Sequence, residues 1–176
     1  YHNSLQGVPS CYINLEMTPA NVQKRIWQMH TGTQFKSDLR GSDAETRRLI
    51  DGWEEVKKMP FASYNPGRSI ESIVSTIRQD WYERGIQFAA VDYAQKMTSN
   101  TYRGARNYEL SEISSQLRAL ALELGIPIYV LAQLKQEVAR TGDKRGGMYD
   151  IKDCADFTQD ATMVQILYRP GYFDIT

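Results

Sequence analysis

The sequence predicts an α/β domain whose mainly parallel sheet is flanked by helices. Short apolar runs of strand length alternate with stretches whose apolar residues recur every three or four positions. One run, Phe88-Ala89-Ala90-Val91-Asp92-Tyr93, stays apolar until it meets an acid, the pattern of a strand covered on both faces. Three of the runs end in a polar group, at Glu16, Asp92 and Gln133. Strands that alternate with helices join through right-handed crossovers, and a parallel sheet puts all its carboxyl ends on one edge. The three polar groups are therefore expected to converge on one site.

Each element has its own signal. Tyr1 to Gln6 read as the last turn of a helix that Gly7 stops. Ser10 to Leu15 is a strand, and Thr18-Pro19 then supplies an N-cap with proline at the first helical position. Val22, Ile26 and Met29 make the stripe of that helix, which Gly32 ends. Ser42 and Glu45 have capping-box spacing for a helix that buries Leu49, Trp53 and Val56 and runs to about Met59, where Pro60 forbids continuation. Phe61 to Tyr64 is a short strand. Ser69 caps a helix with apolar Ile70, Ile73, Val74, Ile77 and Trp81, stopped at Gly85. After the Asp92 strand, Lys96 to Asn107 reads as an exposed polar loop. Leu110, Ile113, Leu117, Leu120 and Leu124 define the clearest helix, closed by Gly125 and Pro127. Ile128 to Ala132 is expected to be a buried strand, Glu137 to Asp153 a polar glycine-containing stretch, and Met163 to Tyr168 a final strand.

Composition bounds the function. A chain of 176 residues is one domain's worth, long enough to bury a core. Its formal net charge is zero, so any contact with nucleic acid must come from local basic patches. No apolar run reaches membrane-spanning length and no signal-peptide pattern opens the chain, so no membrane partner is expected. Cys11 and Cys154 lack metal spacing and the chain has 2 His, which argues against zinc and for reduced thiols in a cytoplasmic protein. Trp27, Trp53 and Trp81 lie at helical spacing and are assigned to the core, Arg47 and Arg48 to a solvated helix face. His2 and His30 receive no role.

A carboxylate at the carboxyl end of a strand can hold a metal-bound water beside a phosphate, as Asp92 would. At this point a family resemblance emerges. Asn14-Leu15-Glu16-Met17 followed by Thr18 resembles the "SLEMS" segment of DnaB-type hexameric replicative helicases, and Val91-Asp92-Tyr93-Ala94-Gln95 is similar to their Walker B "IDYLQ". Glu112-Ile113-Ser114 with Leu117 to Pro127 resembles "EISRSLKALAKELNVP", Leu131-Ala132-Gln133-Leu134 "LSQL", Asp143-Lys144-Arg145 "DKR", and Gln159-Asp160-Ala161 to Tyr168-Arg169 "QDADxxxxLYR". The matches keep the family's order, a far more specific signal than any one motif. Phage and mitochondrial primase-helicases and RecA-type recombinases share the implied fold and match these words less well.

The resemblance implies a RecA-like P-loop NTPase core and a role for each matching position. Glu16 matches the glutamate that activates the water attacking the γ-phosphate of ATP. Asp92 matches the acid that holds Mg²⁺ through water, and Gln133 the glutamine that senses the γ-phosphate. Arg103 and Arg106 fall in one central-channel loop. Arg140, Lys144, Arg145, Lys152, Asp153 and Ala155 fall in the other, the family's main contact with single-stranded DNA. Lys152 stands where the family usually has Arg, and Ala155 where it has Gly; Lys pairs with phosphate as a point charge without the bidentate fork. The implied whole is an ATP-dependent helicase, a homo-hexamer translocating on single-stranded DNA, with primase and a helicase loader as further partners, in the cytoplasm of a bacterium or of a phage's host. No G-x-x-x-x-G-K-[ST] occurs in the chain, nor the family's basic "KQRNG" segment with its arginine finger. Residues 1–176 are accordingly expected to be a single RecA-like domain without its flanks at either end, inactive alone. A RecA-like recombinase, another RecA-fold ATPase or a non-catalytic module of this fold are the rival readings.

Overall fold

The computed structural model describes residues 1–33, 43–101, 106–135, 146–152, 155–169 and 171. Within them four parallel strands form one sheet in the order β2-β1-β3-β4, with β1 Ser10–Asn14, β2 Phe61–Tyr64, β3 Phe88–Asp92 and β4 Ile128–Val130. The helices are α1 His2–Leu5, α2 Pro19–Thr31, α3 Asp43–Val56, α4 Ile70–Arg84, α5 Arg106–Leu124 and α6 Ala155–Asp160.

The helix punctuation acts as the side chains dictate. Thr18 accepts from the Asn21 amide at the start of α2 and Ser69 from the Ser72 amide at the start of α4. Gly32 and Gly85 end those helices in the left-handed region, at φ 64° and 61°. Ser42, the expected cap of α3, lies outside the described residues; that helix ends at Val56, three residues short of the expectation, in turns ahead of Pro60.

One sheet face makes the core. Cys11, Ile13, Leu15, Ala89 and Val91 meet Ile70, Ile73 and Ile77 of α4 and Leu110, Ile113, Leu117, Leu120 and Leu124 of α5. The other face carries Tyr12, Phe88, Ala90 and Asp92, half-buried, so β3 alternates and is not covered on both faces as its apolar run suggested. A continuous apolar run hides this alternation, because Ala90 and Phe88 are as apolar as the core-facing Ala89 and Val91. The β4 strand is also shorter and more exposed than expected: it pairs only with β3 among the described strands, and Tyr129 is 49% exposed.

Other expectations need correcting. Met29 turns to solvent while Val22 and Ile26 alone carry the buried stripe of α2, and Trp81 is 39% exposed at the rim of α4. Trp27 and Trp53 do pack together, ring centroids 5.1 Å apart, and join α2 to α3. Residues 163–168 form no strand, with Leu167 exposed. Lys96 to Asn107 is not an exposed loop throughout, for Met97 and Ser99 are buried. The reason is local: the Ile70 amide donates to Thr98 O, the Thr98 amide to Arg68 O, and the Ser99 amide to the Glu109 carboxylate at 2.8 Å, which pulls this segment onto the starts of α4 and α5. The short helix α6 was not foreseen; Arg118 of α5 donates to Asp160 O at its end.

Cys11 is a free, buried thiol, pushed up from its ordinary value by burial and by Asp80, and Cys154 lies outside the described residues. Asp80 itself is almost fully buried on α4 and forms an ion pair with Arg84, while Tyr64 of β2 donates to it at 2.8 Å. Arg84 also donates to Ser10 O at 3.2 Å, so this cluster fastens α4 to β1 and β2.

Candidate active site

The parallel order places the carboxyl ends of β1, β3 and β4 on one edge, and with them Glu16, Asp92 and Gln133. Backbone bonds continue past the strands. The Leu15 amide donates to Asp92 O at 2.9 Å, and the Ala94 amide to Leu131 O at 2.8 Å, so the three strand ends are stitched together. Glu16 is exposed and follows a turn that Asn14 fixes, its Oδ1 accepting from the Glu16 and Met17 amides at 2.8 and 2.7 Å. That side chain is fully buried, and its Nδ2 meets no partner among the described residues.

Asp92 is half-buried at the middle of the edge. Tyr12, on the same sheet face, donates its hydroxyl to Asp92 Oδ2 at 2.5 Å. Burial and this bond push the Tyr12 hydroxyl well above its ordinary value, so it stays a neutral donor. Tyr12 escaped sequence reasoning because only the register shows that it stands diagonal to Asp92. The Asp92 carboxylate suits Mg²⁺, which binds through one or two carboxylates and keeps its other positions for water and substrate phosphates. Among the described residues no group of three His, Cys, Asp or Glu side chains gathers into a protein-only metal cage.

Gln133 is exposed, and its backbone is held by the side chain of Gln95. Gln95 Oε1 accepts from the Gln133 amide at 3.1 Å; Gln95 Nε2 donates to Gln133 O and to Lys152 O at 3.3 and 2.9 Å. Lys152, expected on DNA-contact grounds, is thus brought beside the strand ends, with its side chain exposed. Arg106 stands at the start of α5, its guanidinium donating to Met97 O and Gln95 O at 2.9 Å each and to Glu109. In this position Arg106 anchors the first turn of α5 to the turn after Asp92. Arg103, Arg140, Lys144, Arg145 and Asp153 lie outside the described residues, and Ala155 is described only as the first backbone position of α6. Gln95 lies in the motif around Asp92, three residues beyond it, and that position is the one signal of its role in the sequence.

In open α/β sheets ligands bind outside the carboxyl ends of the strands, the edge on which Glu16, Asp92 and Gln133 stand. The model of the DnaB-like helicase C terminal domain family matches residues 2–176. The chain belongs to that family. Among its relatives, the "Probable plasmid replicative DNA helicase" of Chlamydia psittaci is 31% identical over 173 residues, covering 96% of this chain and 37% of that protein. "Replicative DNA helicase DnaB" of Helicobacter pylori strain J99 is 37% identical over 142 residues, covering 74% of this chain and 29% of that protein. The chain therefore spans about a third of the length of these curated relatives. A solved DnaB-like replicative helicase, described with its interactions with primase, superposes with a TM-score of 0.88 at 25% identity over 97% of this chain and 44% of that one. A second solved structure, described as an ATPase domain, superposes at 0.87, with 24% identity over 97% of this chain and 63% of that chain, a likeness of fold. This DnaB-family domain has a RecA-like architecture, as its motifs implied. Among the described residues no helix is long and apolar enough to cross a membrane.

Proposed function

We propose that this domain is the ATP-hydrolysing core of a replicative DNA helicase, which as a ring of six in the full-length protein moves along single-stranded DNA and unwinds duplex. The observation that carries the reading is the convergence of Glu16, Asp92 and Gln133 on one sheet edge, with Lys152 one hydrogen-bonded residue away.

The residues divide the work. Asp92, whose carboxylate accepts from Tyr12, would hold Mg²⁺ through water, and that ion, bound with ATP, would supply charge neutralisation for the phosphates. Glu16 projects from a turn pinned by Asn14 and accepts a proton from the attacking water. The Gln133 amide side chain both donates and accepts, which suits a group that reads the terminal phosphate. Lys152, with Arg140, Lys144 and Arg145 of the same basic stretch, neutralises backbone phosphates without regard to base. Primase and a helicase loader are the macromolecular partners this reading carries with it, and a bacterial or phage-infected cytoplasm its setting.

The test is duplex unwinding. The full-length protein, incubated with a forked oligonucleotide duplex, is expected to release the labelled strand with Mg-ATP and to leave it annealed with ADP. Strand release that does not depend on hydrolysable nucleotide, or none at all from an assembled hexamer, would overturn the proposal.

A further inference from the structure

Two short segments lie side by side at the β4 end of the sheet. Gln133 to Lys135 runs antiparallel to Asp150 to Lys152: Leu134 bridges Ile151, the Lys152 amide donates to Gln133 O at 2.9 Å, and the Lys135 amide donates to Asp150 O at 2.8 Å. The Lys135 ammonium adds a bond to Tyr149 O at 3.0 Å. This two-stranded neck joins the strand end that carries Gln133 to the segment that carries Lys152.

Gln95 ties the neck to the rest of the domain. It stands three residues after Asp92, within a 3₁₀ turn, Ala94–Lys96, that follows β3. Its side-chain amide uses both ends on the neck, accepting from the Gln133 amide and donating to the carbonyls of Gln133 and Lys152. Its own carbonyl accepts from Arg106 at the start of α5. One residue thus touches the turn after Asp92, both strands of the neck and the helix beyond. A primary amide is the side chain that can do this, having an acceptor and donors at the same tip; a carboxylate of the same length lacks the donors, and an alkyl chain lacks both.

We propose that Gln95 is a positioning residue that couples the nucleotide edge of the domain to its DNA-contacting segments. The proposal rests on the function proposed above, since it assigns to Gln95 the transmission between the turn after Asp92 on one side and the neck that carries Gln133 and Lys152 on the other. Displacement of Gln133 by a terminal phosphate moves the neck, Lys152 with it through their backbone bond, and the Gln95 clamp ties that movement to the turn after Asp92. Without the Gln95 amide the neck keeps its own backbone bonds but is released from the turn after Asp92, and the affinity of the domain for DNA no longer follows the state of its nucleotide. Reciprocity then requires that DNA lose its influence on nucleotide affinity to the same degree.

The experiment has two arms on the full-length hexamer, wild type against Gln95→Ala and Gln95→Glu. In the first, anisotropy titrations of a labelled oligonucleotide give the ratio of affinities with a non-hydrolysable ATP analogue and with ADP. In Gln95→Ala this ratio is expected to collapse to within about twofold of one, against the roughly five-fold or larger ratio typical of allosteric coupling. Gln95→Glu, which keeps the acceptor for the Gln133 amide and loses both donors, is expected to lose the coupling as well. In the second arm, amide hydrogen exchange is expected to quicken at Gln133 in Gln95→Ala and not in Gln95→Glu, to quicken around Lys152 in both, and to stay at wild-type rates for Ile113 in the core. A wild-type coupling ratio in assembled Gln95→Ala hexamers would overturn the proposal. Unchanged exchange at Gln133 and Lys152 would overturn it independently of any DNA measurement. Absence of nucleotide-dependent DNA binding in the wild type, with exchange altered as expected, would instead count against the helicase reading and leave the clamp established.

Discussion

Tyr12 donates its hydroxyl to Asp92 Oδ2 at 2.5 Å, across the pairing of β1 with β3. The bond fixes one oxygen of the carboxylate and leaves the other directed by it, which is how an outer partner orients a metal-binding group. Tyr12→Phe keeps the ring and its packing against Phe61, centroids 6.3 Å apart, and removes only the donor. In the full-length protein this change is expected to raise the Mg²⁺ concentration needed for half-maximal ATP hydrolysis about tenfold. A Mg²⁺ titration at saturating ATP reads it directly, and an unshifted midpoint would make the Tyr12 bond incidental.

Helices α2 and α3 approach closely at Gly52. A Cβ there would lie 2.3 Å from Thr31 Cγ2, and Thr31 is held in place by its hydroxyl bond to Trp27 O at 2.9 Å. Gly52→Ala gains about 1 kcal/mol of helix propensity but overpacks a fixed neighbour at a cost of about 1–3 kcal/mol. A net loss of stability is expected, read as a lower urea midpoint. Thr31→Ser removes the offending methyl while keeping the hydroxyl, so the double variant is expected to recover what Gly52→Ala loses; a double variant as unstable as the single one would refute this contact as the cause.

Much of the site was legible in the chain because topology, not detail, creates it. Strands alternating with helices favour a parallel sheet, and the parallel strands found here bring Glu16, Asp92 and Gln133 to one edge whatever their exact registers. Caps such as Thr18, Ser69 and Gly85 are likewise local chemistry. What stayed hidden depends on register and on distant partners. Tyr12 faces Asp92 only because β1 pairs with β3 as it does, and Ser99 is buried only because Glu109 reaches its amide. Gln95 is one more polar residue in a line of text until Gln133 and Lys152 are seen on either side of its amide. The run at 163–168 had strand composition, yet composition supplies no partner strand.

The Asp80–Arg84 pair gives the domain an acid-sensitive tie. Burial alone would raise the Asp80 carboxyl, but its bonds from Arg84 and Tyr64 hold it below the ordinary aspartate value of 3.8. A group lowered in this way stabilises fully above about pH 3.8 and loses its contribution as pH falls through the folded-state value. Asp80→Asn is expected to cost about 3 kcal/mol near neutral pH, the low end for breaking a buried pair, because the Arg84 side chain is 31% exposed. The same variant is expected to flatten the loss of stability on the acid side. Urea unfolding at neutral pH and at about pH 3 checks both; parallel curves for variant and wild type at the two pH values would contradict the assignment.

The 176-residue chain has no glycine-rich phosphate loop. Electrostatic positioning of the phosphates is most of phosphoryl-transfer catalysis. The chain alone is therefore expected to hydrolyse ATP no faster than a protein-free blank. Steady-state phosphate release clearly above that blank, at saturating Mg-ATP, would show that the edge residues suffice.

The central claim is that Glu16 activates water at a nucleotide site shared with Asp92. It is tested most directly by single-turnover hydrolysis and nucleotide binding measured together on full-length wild type and Glu16→Gln. The expected result is a loss of about 10²–10⁴-fold in the hydrolysis rate, the contribution of a positioned general base, with ATP affinity changed by no more than about threefold. Equal hydrolysis rates in the two proteins would contradict it.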